Sequence, residues 1–219
     1  MPEKTAFMDL SYSITREMQS SAIIISMIVN LDMYVVQILY SWRQDWLVSV
    51  FFFLSAIGET VVMVAVTLIV AAALFFWLKE RAMSVGLLAT MATSTLITYA
   101  LKHAVARTRP DMLYQAYAET GFSFPSGHSS AAAAFFGFFA YIAWKKMSPG
   151  PRRGAVVALA TLYVLLMAFG RVYLDVHYLS DVLVGLAVGI CSAFIGAIVF
   201  RWLRSHKAEP VRLNLTEET

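Results

Sequence analysis

Three short stretches concentrate cations, imidazoles and a carboxylate in an otherwise apolar chain. KHAVARTRP contributes Lys102 and Arg109, FSFPSGHSSA contributes Ser126, Gly127 and His128, and GRVYLDVHYLSD contributes Arg171, His177 and Asp181. Taken singly, each has an ordinary reading. Lys and Arg at helix ends snorkel to headgroups. Pro-Ser-Gly ahead of an apolar run starts a helix, with Ser126 suited to the N-cap. His177 and Asp181, at i and i+4, make a helix-face pair. Taken together they suit phosphoryl transfer. A phosphate ester repels nucleophiles until its oxygens are neutralised, and Lys102, Arg109 and Arg171 can supply that charge. The backbone N–H groups of Gly127 and His128 at a helix N-terminus add donors, and a glycine lets the main chain come close. Of the two imidazoles, one must attack phosphorus and one must protonate the departing alkoxide. Asp181 lies one turn beyond His177 and can fix its tautomer, which makes His177 the nucleophile and His128 the general acid. Asp175, on another face, is the weaker partner. Two histidines and an aspartate could also hold a metal, but three neighbouring cations would repel a divalent ion. No metal and no cofactor are expected.

These residues need helices to bring them together. The 219 residues are 59% hydrophobic and only 14% charged, with a mean hydropathy of +0.68. That composition implies an all-α, polytopic transmembrane helix bundle of one domain, residues 1–219. A net charge of +3 is too small to point to nucleic acid. Apolar stretches cover about 47–78, 82–104, 127–144, 152–172 and 178–203. The first is long for one span, so it tilts, bends near Gly58 or begins outside the bilayer. Residues 8–41 read as an interfacial amphipathic helix, because Asn30 and Asp32 follow SAIIISMIV at once; a first span is the alternative. The bundle thus has five or six spans. The N-terminus shows no removable signal peptide, and 208–219 is a polar tail.

Lys79 and Arg81, then Lys145, Lys146, Arg152 and Arg153, then Arg201, Arg204 and Lys207 collect on one face. The positive-inside rule makes that face cytoplasmic and puts all three chemical clusters on the extracytoplasmic side of a cytoplasmic (inner) membrane. The small-residue runs SSAAAA (129–134) and GLAVG (185–189) provide close helix packing, which would draw the helices of His128 and His177 together. Arg107 reads as a headgroup contact, and Glu59 as either an interfacial carboxylate or a site residue. The loop 110–124 either covers the site or rests in the interface. Cys191 has no partner for an intrachain disulfide, and NLT at 214–216 falls on a cytoplasmic tail, where it carries no weight.

The three stretches resemble the signatures of the type 2 phosphatidic acid phosphatase superfamily: K-x-x-x-x-x-x-R-P, P-S-G-H and S-R-x-x-x-x-x-H-x-x-x-D. The match runs from Lys102 to Asp181 in order and spacing. The resemblance implies a metal-independent phosphatase acting through a phosphohistidine. It makes Lys102, Arg109, Ser126, Gly127 and Arg171 the phosphate ligands, His128 the acid, His177 the nucleophile and Asp181 its partner. Only the Ser126 side chain is added to the residue-level reading. Gly170 departs from the family serine, which would loosen substrate preference or leave room for a water. The spans argue against the soluble haloperoxidase branch. The resemblance is to bacterial membrane phosphatases acting at the outer leaflet on undecaprenyl pyrophosphate, phosphatidylglycerol phosphate or phosphatidate, with lipid A phosphatases also in range. Its substrate partner would be a phospholipid or isoprenyl phosphate in the membrane. A lipid-to-lipid phosphotransferase using the same site is the alternative. A lipid transporter is disfavoured, because the ionisable residues sit at one edge of the spans.

Overall fold

The computed structural model describes residues 2–206, with side chains at residue 16 and from residue 18 onward. Lys207, the 208–219 tail and the NLT triplet lie outside the described residues. Seven helices follow one another among the described residues: α1 Pro2–Ser41, α2 Asp45–Ile57, α3 Thr60–Ala72 continued by a π turn Ala73–Trp77, α4 Arg81–Val105, α5 Gly127–Lys146, α6 Pro151–Tyr173 and α7 Leu179–Ser205. The last four agree with the apolar stretches within a few residues.

The differences lie near the N-terminus. The stretch 47–78 is two helices broken at Gly58–Glu59. At 1.5 Å per residue α2 is only about 20 Å long, too short to cross a bilayer, whereas Thr60–Trp77 is long and apolar enough. Met18–Ser41 is also long and apolar enough, at 24 residues, so by length and composition it has the dimensions of the span that is the alternative for residues 8–41. Asp32 had made that stretch look too polar. It is buried at 1% exposure and bonded to Arg107 and Ser180, so its charge is met by protein instead of water.

α5 is the helix the others enclose, packed against α7, α6 and α4. In lipid, helices associate by close packing and hydrogen bonds more than by hydrophobic burial, and both are present. A Cβ on Gly185 would lie 2.6 Å from the Ser126 carbonyl, and one on Gly189 would lie 2.5 Å from Ala133 Cβ and 2.8 Å from Ala134 N. The small faces of α5 and α7 therefore meet as the sequence implies. Between α4 and α5, Ser94 and Thr98 each place a hydroxyl 2.9 Å from Ser130 Oγ. Phe138 and Leu87, fully buried, fill the core below, among Met63, Leu74, Phe135 and Phe200. At the far end Lys146 pairs with Glu80. The basic residues gather at that end, opposite the three chemical clusters.

Candidate active site

Lys102 lies one turn beyond Thr98 on the face of α4 that meets α5. Ala106, in the left-handed region at φ 48, then turns the chain back so that Arg107 and Arg109 return over the bundle end. Ser126 caps α5 as expected, its Oγ accepting from Ser129 N at 3.4 Å and from the Ser129 hydroxyl at 3.0 Å. Ser126 also donates its N–H to the Asp181 carbonyl at 3.0 Å. That bond fastens the start of α5 to the start of α7 and so sets His128 beside His177. Space is open where a Gly127 Cβ would stand, which leaves room for an anion at the first turn of α5.

His177 precedes α7 in the Leu174–Tyr178 junction, buried at 1% exposure. Its Nε2 lies 3.2 Å from Arg109 Nη1. A guanidinium can only donate, so Nε2 is the acceptor and the neutral ring carries its proton on Nδ1. Asp181 Oδ2 is 3.7 Å from Nδ1, too far for a hydrogen bond. Ser123 stands between them, its Oγ 3.4 Å from Nδ1 and donating to Asp181 Oδ2 at 2.5 Å. The Asp181–His177 pairing expected from the sequence is present at 3.7 Å, and Ser123 bridges the same two groups. Asp181 also accepts the Tyr178 N–H at 2.9 Å. Burial pushes the His177 imidazole down to about 4; the nearby Asp181 opposes this, and Arg171 and Arg109 add to it. The ring is thus neutral at ordinary pH, with its Nε2 lone pair turned towards the cations.

All three cations are tied to the loop between Tyr117 and Phe122. Lys102 Nζ donates to Phe122 O at 2.5 Å. Arg109 donates to Gly121 O and Thr120 O at 3.1 Å each, and to Val176 O at 2.7 Å. Arg171, fully buried, donates to the Tyr117 hydroxyl at 2.6 Å and to Glu119 Oε2 at 2.5 Å. Glu119 Oε1 is 3.5 Å from Arg109. Burial alone would raise the Glu119 carboxyl, but Arg171, Tyr117 and Arg109 outweigh it and hold it at about 2. An internal carboxylate therefore sits on two of the guanidiniums assigned to phosphate, and the loop covers the site. Nε2 of His128 and Nε of Arg171 are buried with no hydrogen-bond partner, two polar atoms that a bound ester could satisfy.

Several sequence expectations change. Arg107 is no headgroup contact: it donates from Nη1 to Asp181 Oδ1 at 2.7 Å and from Nη2 to Asp32 Oδ2 at 2.8 Å. Gly170 leaves no room for a water or a serine side chain, because a Cβ there would lie 2.7 Å from Phe51 Cδ1; the α2 ring occupies that space. Asp175 is outside the relay and pairs with Arg43. Burial pushes its carboxyl up to about 7 although Arg43 opposes it. Glu59 is exposed at the start of α3. Ser123, Glu119 and Asp32 were not singled out by sequence. The available signal was an acid or hydroxyl in a loop, or an aspartate in an apolar run, with no cation in sequence range to pair it.

A cavity of about 570 Å³ runs between α3 and α4 from this site. Lys102 and Gly127 line it, with Met63, Val64, Leu68 and Met91 along its walls.

The family model described as the PAP2 superfamily matches residues 83–205. The chain belongs to the PAP2 superfamily. It is 32% identical to phosphatidylglycerophosphatase B of Bacillus subtilis over 70% of this chain and 75% of that one. It is 37% identical to the lipid A 1-phosphatase of Rhizobium johnstonii over 51% of this chain, spanning 45% of that relative's length. Among solved structures, the transmembrane PAP2-type phosphatidylglycerolphosphate phosphatase of Bacillus subtilis superposes with a TM-score of 0.72 at 27% identity, covering 93% of this chain and 98% of that one. Aquifex aeolicus LpxE shares the fold, with a TM-score of 0.61 at 23% identity over 77% of this chain and 95% of that one. Among the described residues this PAP2 protein is all-helical, and it is integral to a membrane.

Proposed function

We propose that this PAP2 protein is a lipid phosphatase that works through a phosphohistidine at the outer leaflet, with phosphatidylglycerol phosphate as its first candidate substrate. Undecaprenyl pyrophosphate, phosphatidate and lipid A are the further candidates. The observation that carries the reading is the His177 ring itself: Ser123 and Asp181 back its Nδ1 edge, and its Nε2 lone pair points into a cluster of cations. The phosphate takes over N–H groups of Lys102, Arg109 and Arg171 now given to the loop, together with those of Gly127 and His128 and the Ser126 hydroxyl. Nε2 of His177 then forms a bond to phosphorus as the bond to the lipid oxygen breaks, and His128 gives that oxygen its proton. In the second half a water attacks phosphorus, His128 takes its proton, the P–N bond breaks and phosphate leaves. No metal enters either step.

The α3–α4 cavity suits an acyl or isoprenyl chain, since its walls are mostly apolar and its polar head is Lys102. We assign six spans: α1, α3 with its π turn, and α4 to α7, with α2 lying at the site end. α5 must cross, because it joins the site-end loop to the basic end. The basic end is assigned to the cytoplasm on the positive-inside rule. Phosphatidylglycerol phosphate leads because the B. subtilis relative named for it is 32% identical over 75% of its length, and the B. subtilis structure named for the same lipid covers 93% of this chain. The test is phosphate release by purified protein from phosphatidylglycerol phosphate, undecaprenyl pyrophosphate, phosphatidate and lipid A, each with EDTA present. Turnover with at least one, fastest on the first, is expected. Transfer of the phosphoryl group to another lipid without free phosphate would replace hydrolysis by phosphotransfer.

A further inference from the structure

We propose that Asp32 on α1 and Arg107 are positioning residues that hold the Asp181 carboxylate in register for the nucleophile. Arg107 is the hub. Its two terminal nitrogens bridge Asp181 on α7 and Asp32 on α1, a planar fork spanning two carboxylates in a way a lysine could not reproduce. Nη1 also donates to Ser180 Oγ at 2.7 Å. The Arg107 carbonyl accepts the Ser123 N–H at 2.8 Å. One residue therefore locates both members of the His177 relay: the serine through its backbone and the aspartate through its side chain.

Asp32 fixes that hub. Its Oδ1 accepts the Ser180 N–H at 2.9 Å and its Oδ2 accepts the Ser180 hydroxyl at 2.6 Å. At 1% exposure, a charge in an apolar helix is retained only where it is paired, and both of its oxygens are used at the first turn of α7. The opposite face of the Arg107 guanidinium is closed by the Tyr178 ring, 4.0 Å from Cζ to the ring centroid. Arg107 is thus confined between an acid on each side and a ring. Without Asp32 its second nitrogen has no carboxylate, and the guanidinium can swing to grip Asp181 with both nitrogens or turn to the incoming phosphate. Either movement rotates Asp181 away from Ser123, and the Nδ1 proton of His177 loses its acceptor chain. α1 lies outside the residues that match the family model, so this places part of the catalytic support in a helix the family signature does not contain.

The inference rests on His177 being the nucleophile, and the test separates the two. Steady-state kinetics on a short-chain phosphatidylglycerol phosphate in detergent would compare wild type, Asp32→Asn, Asp181→Asn, the double variant and His177→Ala. Asn keeps an acceptor for the Ser180 N–H, so the helix contact survives while the charge on Arg107 is lost. Asp32→Asn should lower kcat by 10-fold to 100-fold with KM within about twofold. In the Asp181→Asn background the same change should have little further effect, because its route runs through Asp181. Ser180→Ala, which removes one bond from each partner, should cut kcat severalfold and provides the measurement if Asp32→Asn does not fold. An unchanged kcat, a fall carried by KM alone, or full additivity with Asp181→Asn would overturn the positioning role. Persistent turnover by His177→Ala would instead overturn the reading of the site.

Discussion

Glu119→Gln is the substitution that most sharply tests how the phosphate cup is built. The carboxylate lies 2.5 Å from Arg171 and 3.5 Å from Arg109, where an incoming phosphate needs those same N–H groups. A unit negative charge about 5 Å from the carboxylate is disfavoured by roughly 3 kcal/mol at an effective dielectric of about 20. Water at the partly open mouth reduces this, and half of it still corresponds to about a tenfold change in affinity. Glutamine keeps an acceptor oxygen for Arg171 and removes the charge. Orthovanadate, a phosphate mimic able to become five-coordinate, should therefore inhibit the variant about tenfold more tightly than the wild type. The same change leaves the buried Arg171 without a counter-ion, so thermal stability should fall by about 1–2 kcal/mol, less than the roughly 3–5 kcal/mol of a fully buried broken pair because the Glu119 side chain is partly solvated. Affinity and stability thus move in opposite directions. Weaker vanadate inhibition together with a raised KM would refute the reasoning and make Glu119 the residue that orients the arginines for substrate.

Other outcomes follow from the same geometry. With the His177 imidazole held at about 4 and required neutral for attack, the acid limb of kcat/KM should lie well below the ordinary histidine value of 6.5; a limb at 6.5 assigned to His177 would contradict the burial seen here. Between 6.5 and about 4 the unfolded chain takes up a proton that folded His177 refuses, so its contribution to stability should fall as pH drops through that window, measurable as a falling Tm that His177→Gln flattens. Ser123→Ala should reduce kcat by about 10-fold to 100-fold with KM little changed, since it removes the link between Nδ1 and Asp181; wild-type kcat would show that Asp181 reaches the ring without it. Gly170→Ser should lower Tm through its collision with Phe51, and Phe51→Leu should relieve it; equal losses in both backgrounds would mean that the ring is not the obstacle.

The charged and imidazole residues of the site were legible because their helices place them at chain turns. Lys102, His128 and Arg171 each begin or end an apolar run, and alternate crossing puts those ends together whatever the side-chain detail. The small faces at 129–134 and 185–189 gave the α5–α7 contact in the same way. What was hidden depends on the loop folding back: Ser123 and Glu119 are adjacent to the site only because Ala106 turns the chain and Arg109 draws in the carbonyls of Thr120 and Gly121. Asp32 was visible as an acid in an apolar run, a costly placement that asks for a partner. Its partner lies 75 positions away, so the aspartate read instead as the watery end of an interfacial helix. Phe51 shows the same limit, since nothing in SAIGET or GRVY announces that an α2 ring fills the space beside Gly170.

Everything assigned to the relay requires a covalent bond between phosphorus and His177 during turnover. Rapid acid-free quenching of wild type and His128→Ala with phosphatidylglycerol phosphate, followed by peptide mass mapping, measures that bond directly. An acid-labile phosphoryl group on His177 in the wild type, with less of it in His128→Ala because the departing lipid oxygen there goes unprotonated, is the expected result. Turnover with no modified His177 peptide, or an acid-stable phosphoryl group on another residue, would contradict the account.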